Sequence, residues 1–247
     1  MSHLRDPGEL TSDEIEAIEK QSLRCLYVSA YDFGFDAFDI FAQSSDDPKD
    51  IAEDITREML DRFGGYQVQQ RILGNVDYRK ARYVILPEFA VRQALFVDSK
   101  AEKDDNSATM QMSQLSLVVR QVRSGEQIEE RGHLPVVSVH GGLSFITTTL
   151  LAHYNYEDQN GRYNLMQFTL AAVPNGLLQD RYNLASHDTI WLAGRNAPTL
   201  GEEFRVRLSF SRLKLKAAWR VQRIGYDSDE HVIRSRWEDG GSDEIQA

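Results

Sequence analysis

The hydrophobic pattern of this chain changes from helical to strand-like spacing between residues 64 and 71, and this change constrains the fold more than any other feature of the sequence. Before it, apolar residues recur at helical spacing, which predicts helices over about residues 11–30 and 51–63. The first predicted helix opens with Thr11-Ser12-Asp13-Glu14, the pattern of a capping box. After the change, short apolar runs separated by turn residues are typical of strands. The sequence therefore predicts an α/β fold, a mixed sheet flanked by helices, preceded by an acidic helical segment.

The predicted elements divide the 247-residue chain into three parts. Residues 1–65 are predicted to form a helical N-terminal appendage, residues 66–225 the core, and residues 226–247 an acidic, flexible tail. A further helix is predicted at about 107–123. The predicted strands of the core are residues 83–86, 94–97, 136–139, 145–151, 165–173, 204–210 and 219–224, with turns that include Asn160-Gly161.

Charge is distributed unevenly along the chain. The formal net charge is −10, and residues 1–63 alone carry 16 acidic against 6 basic side chains. Residues 195–223, in contrast, carry 8 basic side chains against 2 acidic ones. A polyanion could bind to that basic segment, although any acidic protein also has a less acidic part by chance.

Cysteine content and hydropathy narrow the compartment. The only cysteine, Cys25, cannot form an internal disulfide, which favours a reducing, intracellular location. No stretch approaches the roughly 18 uninterrupted apolar residues of a membrane span, and residues 1–6 lack the pattern of a signal peptide. We therefore expect a soluble protein with no membrane partner.

The strongest chemical signal is Asp98-Ser99-Lys100, which follows the apolar run 94–97. Because side chains alternate along a strand, Asp98 and Lys100 should point to the same face. A second carboxylate, Asp77, lies 21 residues upstream beside another predicted strand. This spacing matches the acid, gap, acid-any-lysine pattern of the PD-(D/E)xK nucleases.

Phosphodiester hydrolysis explains why such residue types would occur together. Asp77, Asp98 and the backbone carbonyl of Ser99 could hold a divalent cation such as Mg²⁺, which takes hard oxygen ligands. Lys100 would stabilise the negative charge that develops on the phosphate. The bare pattern is weak, and a plain surface ion pair between Asp98 and Lys100 explains it equally well.

The chain contains a second acid-any-lysine triplet, Asp47-Pro48-Lys49. It lies in a polar turn and no apolar strand precedes it. We interpret it as the start of a helix, in which Asp47 caps the first turn.

Longer blocks of the sequence resemble the SfiI family of type II restriction endonucleases, over roughly residues 10–225. The blocks that carry the resemblance are Asp50 to Thr56, Val76-Asp77-Tyr78-Arg79, Gln93 to Ala101, Gln179 to Asn183 and Trp191 to Lys214. The resemblance implies a restriction-endonuclease-like core of the PD-(D/E)xK type, with Asp77, Asp98 and Lys100 as the catalytic residues. It also implies a Mg²⁺-dependent enzyme of the bacterial cytoplasm that acts as a homotetramer on double-stranded DNA at GGCCNNNNNGGCC. Val76 stands where the general motif has proline, and residues 104–110 and 124–133 lie outside the resemblance.

Base reading in such an enzyme requires donors directed at the major groove, most often arginine or lysine facing guanine. The predicted DNA-binding β region spans about residues 195–224, and its strand 204–210 would place Arg205 and Arg207 on one face. Each single cation could equally be a phosphate contact or a surface charge. The candidate DNA-binding residues are Arg205, Arg207, Arg212, Lys214, Lys216, Arg220 and Lys103.

Three functions of different classes remain open at this point. The first is a site-specific endonuclease. The second is a sequence-specific DNA-binding protein without cleavage, which would keep the basic strand region and could lose an acid. The third is an acidic enzyme of another kind that has no affinity for DNA.

Overall fold

The structure is a computed structural model that describes residues 4–62, 68–73, 80–86, 89–192, 204–227 and 230–240. Its helices are α1 (Ser12–Asp32), α2 (Gly34–Gln43), α3 (Pro48–Asp61), α4 (Gln179–Tyr182) and α5 (Phe210–Lys216). Its strands are β1 (Val68–Leu73), β2 (Lys80–Leu86), β3 (Val91–Glu102), β4 (Ser107–Gln111), β5 (Val118–Arg123), β6 (Glu126–Arg131), β7 (Val137–His140), β8 (Leu143–Gln159), β9 (Arg162–Val173), β10 (Trp191–Leu192), β11 (Arg205–Ser209), β12 (Val221–Asp227) and β13 (Val232–Ser235).

The two long N-terminal helices begin where the sequence predicts them to begin. Thr11 and Glu14 form a reciprocal capping box, in which each side chain accepts the backbone N–H of the other residue. Asp47 caps α3 by accepting the N–H of Lys49 at 2.9 Å. Although α1 is 21 residues long, no helix among the described residues has the length and apolar character needed to cross a bilayer.

Over the described residues, the central sheet has eight strands. Its main path runs β1-β2-β3-β8-β9-β12-β13, and β7 pairs with the start of β8. The pairing of β3 with β8 is parallel, whereas β2 with β3 and β8 with β9 are antiparallel, so the predicted mixed sheet is confirmed. The predicted turn Asn160-Gly161 connects β8 and β9, with both residues at positive φ. A smaller sheet, β10-β11-β4, and the hairpin β5-β6 accompany it.

The central sheet has an apolar core on each of its two faces. On one face, α1, α2 and α3 bury residues such as Leu26, Phe41 and Ile55 against strand residues that include Leu95 and Leu150. On the other face, strand residues such as Leu151 and Val221 pack with the smaller sheet and with Phe210 of α5. The N-terminal helices are therefore one layer of the core, and the prediction of a separate helical appendage is wrong.

The helix predicted at about 107–123 is also wrong. The segment forms β4, a 3-10 turn at Met112–Gln114, and β5. The physical reason is long-range pairing, because β4 hydrogen-bonds along its whole length to β11, which lies about a hundred residues further along the chain. Burial of Ser107 and Met110 then follows from the sheet and not from a helical period.

The chain after Tyr226 is not a free tail over residues 230–240. β13 pairs with β12, and Gln222 exchanges two 2.8 Å hydrogen bonds with the backbone of Glu238. The ring of Trp237 packs edge-on against Tyr27 of α1 at 5.3 Å. The acidic composition predicted a flexible tail, whereas the backbone of residues 232–235 completes the edge of the sheet. Residues 241–247 lie outside the described residues.

Candidate active site

Asp98 and Lys100 form an ion pair on β3, an interior strand of the central sheet that lies between β2 and β8. Lys100 Nζ lies 3.0 Å from Asp98 Oδ2, and the two side chains are 21% and 17% exposed. They share one face of the strand, as the alternation of side chains predicts. Pairing of β3 with β2 ends at Phe96, whereas pairing with β8 continues through Glu102. Within the described residues, the strand around this ion pair is therefore paired on one side only.

Gln114 is a third member of the site that the sequence did not indicate. Its Nε2 donates to Asp98 Oδ1 at 2.6 Å, and its Oε1 accepts the backbone N–H of Gln111 at 2.8 Å. Gln114 comes from the 3-10 turn between β4 and β5. The sequence predicted a helix over this segment, so it gave no reason to expect the Gln114 amide beside Asp98. Gln114 fixes the carboxylate without neutralising its charge.

The electrostatics of Asp98 are dominated by its burial. Burial raises the pKa of Asp98, the charge and hydrogen bond of Lys100 lower it, and the negative charges of Glu53 and Glu102 raise it, so the net pKa lies above the ordinary value. Glu53 comes from α3, on the helical layer, and Glu102 is at the end of β3. A carboxylate in these surroundings gains from an additional positive charge.

A divalent cation fits this chemistry. The Asp98 carboxylate and the backbone carbonyl of the neighbouring Ser99 are hard oxygen donors of the kind that Mg²⁺ takes. The described residues supply only part of a coordination shell, because within them no cluster of three or more acidic, histidine or cysteine side chains could hold a metal. Asp77, the other predicted ligand, lies outside the described residues.

Arg205 and Arg207 lie on one face of β11, as predicted. The residues between and after them, Val206 and Leu208, are buried on the opposite face. Arg207 is bound to Asp104 at 2.7 Å, in the loop that follows β3. The basic strand is thereby brought next to the end of the strand that carries Asp98 and Lys100.

The other basic candidates are distributed over the surface around α5 and β3. Lys103 is 63% exposed and lies 3.7 Å from Asp158. The three candidates on α5 each contact another segment, so they also anchor the helix. The partners are the Trp191 carbonyl for Arg212, Glu238 for Lys214 and Asp188 for Lys216.

The prediction that Arg220 contacts DNA is wrong. Its side chain is fully buried, where Nη2 pairs with Glu19 at 2.7 Å and Nη1 donates to the carbonyl of Ala172 at 3.2 Å. The guanidinium also lies over the rings of Tyr182 and Trp219, at 4.0 and 4.4 Å. Such a group cannot reach a phosphate or a base without unfolding its surroundings.

His153 is a second residue that the sequence did not single out. It lies opposite Lys100 in the β3–β8 register, is fully buried, and has no hydrogen-bond partner among the described residues. Burial lowers the pKa of His153 to about 4. Its ring lies edge-on to Phe210 at 5.3 Å. A lone histidine within an apolar strand gives no sequence signal for this position.

Comparison with known proteins identifies close relatives. The family described as type II restriction enzyme SfiI matches residues 23–224. The type II restriction enzyme SfiI of Streptomyces fimbriatus is 34% identical over 250 residues, covering 95% of this chain and 93% of that protein. The crystal structure of tetrameric SfiI bound to cognate DNA aligns with a TM-score of 0.82 at 32% identity, over 96% of this chain and 94% of that one. The restriction endonuclease BglI, bound to its DNA recognition sequence, shares the fold with a TM-score of 0.70 at 16% identity, over 85% and 90% of the two chains.

Proposed function

Because the chain belongs to the SfiI family of type II restriction enzymes, we propose that it hydrolyses phosphodiester bonds of double-stranded DNA in a Mg²⁺-dependent reaction. The observation that carries this proposal is the ion pair of Asp98 and Lys100 on β3, an interior strand of the sheet. It is half-buried, held by Gln114 and bordered by further acids, which are the surroundings that a cation-dependent site requires.

In this proposal Asp98, the carbonyl of Ser99 and Asp77 hold the metal ion. When bound, Mg²⁺ supplies the positive charge that stabilises the phosphoryl oxygens. The described part of β2 begins three residues after Asp77, and β2 runs antiparallel to β3 up to the residues just before Asp98. That pairing supports Asp77 as the second carboxylate, because the chain enters β2 beside the strand that carries the ion pair.

Lys100 acts on the reacting phosphate. Its ammonium is half-buried, so a phosphate that enters the site meets a partly desolvated positive charge. Lys100 then donates hydrogen bonds to the phosphoryl oxygens and orients the attacking water, which stabilises the charge that grows in the transition state. Asp98 holds Lys100 in place before the substrate arrives.

Sequence recognition is proposed to come from β11 and the segment that precedes it. Arg205 and Arg207 face one side of the strand and are suited to guanine contacts in the major groove. Lys103, Arg212, Lys214 and Lys216 are suited to phosphate contacts, for which they would exchange their present partners. We infer the interrupted palindrome GGCCNNNNNGGCC as the target.

We also infer a homotetramer, since the structure that aligns over nearly the whole chain is of tetrameric SfiI bound to cognate DNA. Restriction of DNA implies action in the bacterial cytoplasm. A DNA-binding protein without cleavage is the alternative. It is disfavoured because a protein released from catalysis has no need to keep a carboxylate and a lysine paired in a half-buried site.

The test uses the purified full chain and a long DNA that carries two GGCCNNNNNGGCC sites. We expect discrete fragments ending inside those sites with Mg²⁺ and intact DNA with EDTA. Discrete fragments of other sizes would keep the chemistry and reject the target sequence. Intact DNA that is nevertheless retarded on a gel would support the alternative of binding without cleavage.

A further inference from the structure

One edge of the Arg207 guanidinium is fully engaged by the protein. Arg207 Nε donates to Ser107 Oγ at 2.9 Å, and Nη2 donates to Asp104 Oδ2 at 2.7 Å. Ser107 Oγ in turn donates to Asp104 Oδ2 at 2.7 Å, and Ser107 itself is buried. These contacts form a closed ring around the Nε–Nη2 edge, which fixes the plane of the guanidinium.

The other edge of Arg207 is differently placed. Nη1 has no partner among the described residues, and the second contact of Nη2, to Glu102 Oε2, is 3.4 Å long. A hydrogen bond of that length is weak and is easily exchanged. The Arg207 side chain is 36% exposed. The Nη1–Nη2 edge can therefore form two parallel hydrogen bonds to a ligand without breaking the contacts to Ser107 and Asp104.

Comparison with Arg220 shows that this arrangement is not that of a structural arginine. Arg220 has no exposed surface, and both of its terminal nitrogens bind the protein, to Glu19 and to the Ala172 carbonyl. Arg207 is half-exposed and is held on one edge only. An arginine needed only for packing gains nothing from a free terminal edge.

The surroundings of Asp104 favour its charged form. Partial burial raises the pKa of Asp104, but hydrogen bonds from the Asn106 N–H and the Ser107 hydroxyl, with the charge of Arg207, outweigh this and lower the net pKa. The Asn106 donor comes from the loop between β3 and β4, and the Ser107 donor from the first residue of β4. The carboxylate is thus oriented by its own loop before it binds Arg207.

We propose that Asp104 is a specificity-determining residue, which positions Arg207 so that its Nη1–Nη2 edge makes a bidentate contact with a guanine of the target. The inference rests on the proposed function. A bidentate contact requires a guanidinium of fixed plane, and a clamp made before binding removes the cost of ordering a flexible side chain. Glu102 lies two residues beyond Lys100 on the same face of β3, so this contact would form next to the reacting phosphate.

The test compares Asp104→Asn with Asp105→Asn, which makes the same charge change at the next residue. The Asp105 side chain makes its hydrogen bond with Asn106 and none with Arg207. The target of the wild-type enzyme is first determined by sequencing the ends of fragments cut from a random DNA library. The kcat/KM is then measured on that target and on targets with one guanine of each half-site replaced.

We expect Asp104→Asn to lower the ratio of kcat/KM between the target and a replaced target about tenfold or more, at one guanine position. Asp105→Asn should leave the ratio within about twofold of wild type. Arg207→Lys keeps the charge but loses the two parallel N–H donors of the guanidinium, so it should lower the ratio at the same position. The double variant should lose no more than Arg207→Lys alone, because both changes remove one contact.

The outcomes separate this inference from the proposed function. A wild-type protein that does not cut DNA contradicts the proposed function itself. A wild-type protein that cuts, with an unchanged ratio in Asp104→Asn and Arg207→Lys, contradicts only the role of Asp104. An equal loss on all targets also overturns it and assigns Arg207 to a phosphate. Thermal unfolding of each variant identifies one that has failed to fold, and the other then decides the question.

Discussion

Two ion pairs in this protein join a carboxylate to a cation away from bulk solvent, and they differ in how much surface they leave for a further partner. Glu19 and Arg220 are 1% and 0% exposed. Glu19 also accepts the backbone N–H of Asn175 at 2.7 Å. Asp98 and Lys100 are 17% and 21% exposed, and Gln114 is the one neutral donor to Asp98 among the described residues.

The difference indicates that the Glu19–Arg220 pair is structural, whereas the Asp98–Lys100 pair can bind a further group. Glu19 and Arg220 connect α1 to the segment before β12 across 201 residues of sequence, and neither side chain keeps exposed surface at which a further partner could bind. Asp98 is bordered by Glu53 and Glu102, whose charges raise its pKa. Its side chain also keeps exposed surface at which a cation can be added, whereas Glu19 is closed off from solvent.

Removing Arg220, the cation of the fully buried pair with Glu19, should produce the largest effect on stability. Arg220→Ala leaves Glu19 buried without its partner, and we expect a loss of about 3 to 5 kcal/mol in the free energy of unfolding. Urea unfolding measures it. Arg57→Ala, which breaks the exposed pair with Asp54, should change stability by less than about 1 kcal/mol. Similar losses in the two variants would contradict the comparison.

Removing Lys100, the cation of the partly exposed pair with Asp98, should affect cleavage and leave the fold intact. Lys100→Ala is expected to lower cleavage at least about 10²-fold, or roughly 2.7 kcal/mol of transition-state stabilisation, with little change in the unfolding midpoint. Lys49→Ala is the matched control, since Lys49 belongs to the second acid-any-lysine triplet and lies exposed on α3. Near-normal cleavage by Lys100→Ala would reject the site.

His153 should make stability depend on pH, because it is a buried ionisable group with no hydrogen-bonding partner among the described residues. Its pKa is lowered to about 4 from 6.5, so below pH 6.5 the unfolded chain binds a proton that the folded chain does not. Stability from this group is therefore present above pH 6.5 and is lost as pH falls toward 4. Between pH 6.5 and pH 5 the loss should be about 1 to 2 kcal/mol, because the unfolded histidine is already half protonated at pH 6.5. Urea unfolding at both pH values should show this loss reduced in His153→Leu, and an unchanged pH dependence would contradict it.

Gln114 should give the smallest effect. Gln114→Leu removes the donor to Asp98, and we expect cleavage to fall about tenfold because one hydrogen bond to a charged group is lost. Gln121 offers a matched control, because it is also buried but its amide has no hydrogen-bond partner among the described residues. Gln121→Leu should leave cleavage unchanged. Equal cleavage by both variants would show that Asp98 does not depend on this donor.

The sequence predicted those parts of the fold and of the site that depend on neighbouring residues. The cap at Thr11, the start of α3 at Asp47 and the shared face of Asp98 and Lys100 all depend on residues within four positions of one another. Arg205 and Arg207 share a face for the same reason. Short-range periodicity and capping were sufficient in each case.

The errors have a common physical cause in long-range pairing. Segment 107–123 contains residues that fit a helix, but pairing with β11 makes its first part a strand. Arg220 was predicted to lie on the surface because it belongs to a basic segment, and only the packing of α1 against the sheet buries it beside Glu19. The chain after Tyr226 was predicted to be free because its composition is acidic, whereas β12 provides an edge that it completes.

The sequence by itself determined the helical and strand segments with strong local signals, the Asp98–Lys100 pair, and membership of a family through blocks of specific residues. Only the tertiary structure decided which charges are buried, which neutral side chain holds Asp98, and which edge of Arg207 remains available. The reason is that burial and hydrogen-bond partners depend on contacts between residues distant in the chain. A sequence pattern of period two or 3.6 contains no information on those contacts.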